Sequence, residues 1–176
     1  AEQGWPSTVR MRRPAEDYER DVTAEIKRLK ASSGFELPVF AGANRAGALV
    51  PIGWSEQHDA EAIARLAQWR EAVGDVFPAR FPVTLEGTER WLAQKLLQVP
   101  DRILFWVRDR SGRHVGHLGL FRFDYLARTV ELDNVIRGAA GVPGIMAGSV
   151  RALASWAFTR FDLSALRLRV FADNQS

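Results

Sequence analysis

Apolar residues recur along this chain with two periods, and the switches between them mark out its elements. Tyr18, Val22, Ile26 and Leu29 share one face of a predicted helix. Glu16, Asp17 and Glu19 lie in its first turns and Lys27, Arg28 and Lys30 at its end, the distribution a helix dipole favours. Ser32, Ser33 and Gly34 end that helix, and residues 42–47 read as a linker. Residues 49–52 read as a short strand, at an edge because Pro51 cannot donate to a ladder. Ser55 is the expected cap of a helix reaching about residue 73, with Ile63, Leu66, Ala67 and Val73 inward. Pro78 and Pro82 break the chain. Thr84 then caps a second helix, with Leu85, Thr88, Leu92, Leu96 and Val99 on one face and Pro100 as its stop.

Beyond Pro100 the pattern changes to strands. Residues 103–107, 115–121 and 129–136 read as three of them, joined by turns at 109–112 and 124–127. Residues 138–144 form a glycine-rich loop. A helix follows with Met146, Val150, Leu153, Ala157 and Phe161 on one face, and residues 166–171 are the last strand. Short turns favour antiparallel neighbours, whereas a strand–loop–helix–strand unit favours a parallel pair. The expected fold is α+β: a mixed, mostly antiparallel sheet flanked by helices. Residues 1–45, irregular apart from their one helix, read as an arm or linker, and residues 46–176 as the domain.

Composition narrows the function classes. The chain has 176 residues, enough for one domain with a substantial core. It holds no cysteine, which removes disulfides, zinc–thiolate sites and a cysteine nucleophile. No apolar run approaches the ~18 residues a membrane span needs, and residues 1–20 lack a secretory pattern. These features fit a cytoplasmic protein. The net charge is only +3 and the arginines alternate with acids, so neither nucleic acid nor membrane is an expected partner.

One segment carries chemistry. Residues 130–136 (Val-Glu-Leu-Asp-Asn-Val-Ile) run into Arg137, Gly138, Ala139, Ala140, Gly141, Val142, Pro143, Gly144, Ile145 and Met146. First-turn amides of a helix have no internal partners and carry the positive end of its dipole. Small residues let a ligand approach the backbone, so the site suits a pyrophosphate. Pro143 fits the first helical turn, where its missing N–H is no loss. A tight strand-to-helix connection without a ligand explains the same segment equally well. It is not a Walker loop, because no lysine follows the glycines.

Residues 131–146, followed by Leu166, Arg167, Leu168, Arg169, Val170, Phe171, Ala172, Asp173 and Asn174, resemble the GNAT superfamily of acyl-CoA N-acyltransferases. The likeness in element order covers roughly residues 49–176. In that family the fourth strand splays from the fifth and pairs with the pantetheine arm, and the next loop and helix N-terminus bind the pyrophosphate. The resemblance implies that Val135 and Ile136 line the arm. It implies that Arg137, Gly138, Gly141, Gly144 and Ile145 hold the pyrophosphate, and that Asn174 is the asparagine often found after the fifth strand. Two departures stand out. The usual loop is Gln/Arg-x-x-Gly-x-Gly/Ala, whereas Arg137 and Gly141 are one residue too far apart and Pro143 takes the second small position. The family also continues with a helix, often bearing a general-acid tyrosine, and two more strands. This sequence stops at Ser176, so those C-terminal elements are expected to be missing, or supplied by another segment, an adjoining domain or a second subunit. Residues 33–36 are similar to the helix-to-strand junction of that part, which would make the chain a permutation.

Amine acylation needs a base to take the amine's proton. Glu131 stands where the family sometimes has such a glutamate, and Asp133 is two residues on, hence on the same face. The alternative for each is a solvated or ion-paired strand carboxylate. His58, His114 and His117 lack metal-ligand spacing, and three-residue spacing near a strand points His114 and His117 to opposite faces. No metal site is expected. The tryptophans read as packing; Trp69 with Arg70 lies near the end of the domain's first helix, where the resemblance implies acceptor-binding groups, and packing is the preferred reading there too. The expected activity is acetyl transfer from acetyl-CoA to a primary amine on a small molecule. An amino sugar or its nucleotide-linked form is the first acceptor and a protein N-terminus the second. The alternative is a non-catalytic CoA-binding or structural module of a larger polypeptide.

Overall fold

The computed structural model describes residues 13–31, 34–74 and 83–168. In chain order these give α1 (Ala15–Ala31), β1 (Leu37–Ala41), β2 (Asn44–Pro51), a 3-10 turn (Trp54–Glu56), α2 (Ala60–Ala72), α3 (Leu85–Trp91) running into a π-helical stretch (Leu92–Leu97), β3 (Ile103–Asp109), β4 (His114–Asp124), β5 (Thr129–Arg137), α4 (Ile145–Phe161) and β6 (Ala165–Arg167). The strands form one sheet in the order β1-β2-β3-β4-β5-β6. Neighbours are antiparallel except β5 and β6, which run parallel through Thr129↔Ala165, Val130↔Leu166 and Glu131↔Arg167. The mixed, mostly antiparallel α+β fold matches the expectation.

Alternation along the central strands divides the core into two clusters. On one face, Tyr18, Val22, Ile26 and Leu29 of α1 and Leu153, Ala157 and Phe161 of α4 pack on Leu49, Ile103, Phe105, Val107, Leu118, Leu120 and Val130. On the other, Ile63, Leu66 and Trp69 of α2 and Leu92 and Leu96 of the π-helical stretch pack on Leu104, Trp106 and Ile136. The amphipathic α1 thus joins the core of the sheet. Glycine sets how closely α4 sits on β1: a Cβ on Gly148 would lie 2.1 Å from the Phe40 carbonyl oxygen.

Several local expectations are corrected. Residues 42–47, read as a linker, are the turn and the start of β2 in a hairpin, with Gly42 at φ 62°. The strand containing Pro51 is not an edge, because β2 lies between β1 and β3. Pro51 closes that strand, so only its last position lacks a donor, and the Ile52 amide resumes the ladder to Leu104 O at 2.8 Å. The cap of α2 is Asp59, whose carboxylate accepts from Glu61 N and Ala62 N, while Ser55 lies in the preceding 3-10 turn. Thr84 caps α3 as expected, accepting from Gly87 N at 2.9 Å. Leu85 nevertheless faces solvent, because the inward face begins only at Thr88 and Leu92. Of the junction at residues 33–36, the described residues 34–36 lead into β1, at the opposite edge of the sheet from β6, which removes the permutation reading. Pro78, Pro82, Asn174 and the last strand beyond residue 168 lie outside the described residues.

Candidate active site

The site begins at a bulge in β5. His117 pairs with Ile136 and Gly119 with Asp133, so Leu118 of β4 opposes both Asn134 and Val135. Asn134 takes the bulge conformation at φ 45°, which asparagine tolerates better than most residues. Side chains on both sides hold it. Nδ1–H of His117 donates to Asn134 O at 2.8 Å. The Asn134 amide donates to Asp133 Oδ1 at 2.8 Å, and Arg102 Nε donates to Asp133 Oδ2 at 2.7 Å. Arg102 is itself buried and anchored, with Nη1 on Lys95 O at 2.9 Å and its guanidinium over Phe121 and Trp91. Burial pushes the His117 imidazole down to about 4, so it is neutral near pH 7. Its Nε2 has no hydrogen-bond partner among the described residues.

A second bulge corrects the reading of the histidines. Val107 pairs with Gly116 but Arg108 with His114, so Val115 is an extra residue in β4. The alternation shifts by one, and His114 and His117 both face Trp106, at ring separations of 4.9 and 6.3 Å.

After the bulge, Val135 is exposed, whereas the Ile136 side chain is buried against α2 and the π-helical stretch. The loop folds back on β4, where the Gly138 and Ala139 amides both donate to Val115 O, at 2.9 and 3.0 Å. Gly138 is glycine because of Trp69: a Cβ there would sit 2.0 Å from the indole ring. Gly144 starts α4 at φ 84°, a conformation other residues adopt only with strain. Gly141 differs from both, since a Cβ would make ordinary contacts with Ile145 and Val115 at 3.4–3.6 Å. Ile145 buries its side chain in the α4 cluster and donates its amide to Val142 O. Arg137, Ala140, Val142, Pro143 and Gly144 are exposed. Among the described residues, the amides of Ala140, Gly141, Val142, Gly144, Met146 and Ala147 make no hydrogen bond. Open amides at an exposed N-terminus of a 17-residue helix fit a pyrophosphate.

The carboxylates lie on the α2/α3 face. Asp133 has both oxygens engaged, by Arg102 and Asn134. Glu131 has Arg122 Nη1 at 3.5 Å from Oε2, with 16% of its side chain exposed. Arg102 was invisible to sequence pattern, since its partner is 31 residues away. No cluster of metal-ligating side chains occurs among the described residues.

A family model described as "Acetyltransferase (GNAT) domain" matches residues 49–176. The chain belongs to the GNAT acetyltransferase family. Like its family, this GNAT domain is an acyl-CoA-dependent N-acyltransferase with acetyl-CoA as co-substrate. Solved structures have a similar fold. The ribosomal L7/L12 alpha-N-protein acetyltransferase RimL is 17% identical, with 82% of this chain and 78% of that one covered at a TM-score of 0.60. A GNAT acetyltransferase from Bacillus anthracis is 13% identical over 80% and 76%, at 0.58. The spermidine N-acetyltransferase from Vibrio cholerae, solved with CoA and spermine, is 18% identical over 72% of each chain, at 0.57. No curated protein matches the chain in sequence.

Proposed function

We propose that this GNAT domain transfers an acetyl group from acetyl-CoA to the primary amine of a small molecule, an amino sugar or its nucleotide-linked form foremost. The observation that carries the reading is the bulged β5 running into an α4 N-terminus whose amides are open. The backbone around Val135 receives the pantetheine arm. The open amides of Ala140, Gly141, Val142, Gly144, Met146 and Ala147 receive the pyrophosphate, assisted by Arg137 at the loop's start. The role of Gly138 and Gly144 is to shape the loop, and that of Ile136 and Ile145 is to anchor it. Asn174 keeps the role the resemblance implies.

The amine approaches from the α2/α3 face, where Glu131 takes its proton, directly or through a water. The amine nitrogen bonds to the thioester carbonyl carbon. The carbon–sulfur bond then breaks, leaving an amide and the coenzyme A thiolate, which takes a proton from water to become the thiol. Asp133 holds the bulge through Arg102 and Asn134 and is the weaker candidate for base, because both its oxygens are occupied.

The test is an acetyl-CoA-dependent assay over a broad amine panel. Glu131→Gln should lower turnover by roughly 10²–10⁴-fold, with coenzyme A affinity nearly unchanged. A full-rate Glu131→Gln enzyme would move the base elsewhere. Binding of acetyl-CoA without acylation of any amine would favour a CoA-binding module.

A further inference from the structure

The α2/α3 face carries a charge that no side chain among the described residues balances. Arg70 lies in the last turn of α2. Its guanidinium lies over the Trp91 ring, 4.5 Å from the centroid. Arg102 lies over the same ring at 5.4 Å. Asp133 neutralises Arg102 through the 2.7 Å contact. Arg70 has no ion pair and no hydrogen bond among the described residues. An arginine in the last turn of a helix usually reaches a helix carbonyl or extends into water. Arg70 does neither: it is partly buried against Trp91. Burial first, and the like charge of Arg102 second, push its guanidinium below the ordinary value. A half-buried cation beside another cation is destabilising unless an anion completes it.

The location connects this charge to the reaction. Trp91 links Arg70 to Arg102, Arg102 holds Asp133, and Asp133 adjoins the Asn134 bulge. Trp69, the residue before Arg70, packs on Gly138 of the loop and on the His117 ring at 5.9 Å. Arg70 therefore stands on the same face as Glu131, beside the strand where acyl transfer is proposed.

Resting on the proposed acyl transfer, we infer that Arg70 and Trp91 form an acceptor subsite for an anionic group, a carboxylate or a phosphate, carried by the same molecule as the amine. The guanidinium fork suits either anion in a bidentate geometry, and the Trp91 ring holds the fork from behind. A guanidinium held over Trp91 with no carboxylate partner among the described residues also disfavours a second ammonium group there. That separates this chain from the Vibrio cholerae enzyme solved with spermine.

The test compares amines with and without the anion. Glucosamine 6-phosphate is set against glucosamine, glycine against glycinamide, and spermidine is the polycation control. The wild-type protein should prefer the anionic member of at least one pair by about 10–100-fold in kcat/KM, the size of a charge-assisted contact. The pair that responds identifies phosphate or carboxylate as the anion. Arg70→Gln should abolish that preference by raising KM for the anionic member. Glucosamine kinetics and coenzyme A affinity should stay within about twofold. Arg70→Lys should recover part of it. Equal use of both members of each pair, a preference for spermidine, or an Arg70→Gln effect equal on both members would overturn the inference. Calorimetry of the four ligands with CoA-saturated protein keeps the outcome independent of turnover. Binding of an anionic member that Arg70→Gln abolishes supports the subsite even if no amine is acetylated. Binding that ignores Arg70, or no binding of any of them, contradicts it.

Discussion

The two faces of the sheet are built to different standards. On the α1/α4 face, polar groups that meet the core are paired. Tyr18 donates its hydroxyl to Phe161 O, Glu25 is held by Arg28 and Arg160, and the buried Arg128 meets Asp162 at 2.6 Å. Aromatic rings meet edge to face around Phe161, with Phe123 at 5.4 Å and Trp156 at 5.3 Å. On the α2/α3 face, Arg70 and the His117 Nε2 lack partners among the described residues, the helix loosens into a π turn, and β5 is bulged. Such departures from regular, satisfied structure concentrate where ligands act. In the proposed reading the acceptor and the base lie on the α2/α3 face, while the α1/α4 face is structural except at the N-terminus of α4.

The comparison is broken most severely from the stabilising side. Phe161→Ala should cost about 3–5 kcal/mol, the usual penalty for truncating a buried phenylalanine. Denaturant titration measures it, and coenzyme A affinity of the folded fraction should not change. A large loss of affinity would mean that the two faces are coupled.

The next effect separates the faces by pH. The His117 imidazole is held at about 4 when folded, against an unfolded value near 6.5. Between these values the unfolded chain binds a proton that the folded chain does not, so stability falls as pH drops from 6.5 toward 4 and is flat above 6.5. The depression corresponds to a loss on the order of 3 kcal/mol. His117→Gln should remove that component of the slope in urea melts at pH 4.5 and 7. The burial of His114 lowers its value too and acts in the same sense, which makes the His117 variant the needed control.

Gly138→Ala sharpens the comparison further. The new methyl would meet the Trp69 ring at 2.0 Å, so the loop or the indole must shift. A loss of about 1–3 kcal/mol is expected, with weaker coenzyme A binding. Gly141→Ala should be tolerated in the fold, because its Cβ meets only ordinary contacts.

The sequence was legible where structure is local. The four-residue stripe of α1, the Thr84 cap and the apolar runs of β3 to β5 need no distant partner to be recognised. Features set by distant partners were misread. A glycine-rich hairpin looks like a linker until its strands have neighbours, and Pro51 looks like an edge until β3 supplies the ladder. The extra Val115 in β4, not the spacing of His114 and His117, decides which way the histidines face. At the site, Glu131 and Asp133 are candidates through the family resemblance and the loop through its residue types. Arg102 is not, because its role depends on Asp133, nor is Arg70 as an anion site, which depends on its packing against Trp91.

The central claim is that the open amides at the start of α4 hold the pyrophosphate of coenzyme A. Val142 is exposed in that loop, so an acid there adds negative charge without disturbing the core. Calorimetric titration of coenzyme A into wild type and Val142→Asp tests the claim directly. The account predicts saturable binding by wild type and about 10-fold or greater weakening by the variant. Stability should be unchanged or raised by a few tenths of a kcal/mol, since an acid suits a helix N-terminus. Equal affinity in the two proteins, or no binding by wild type, would contradict it.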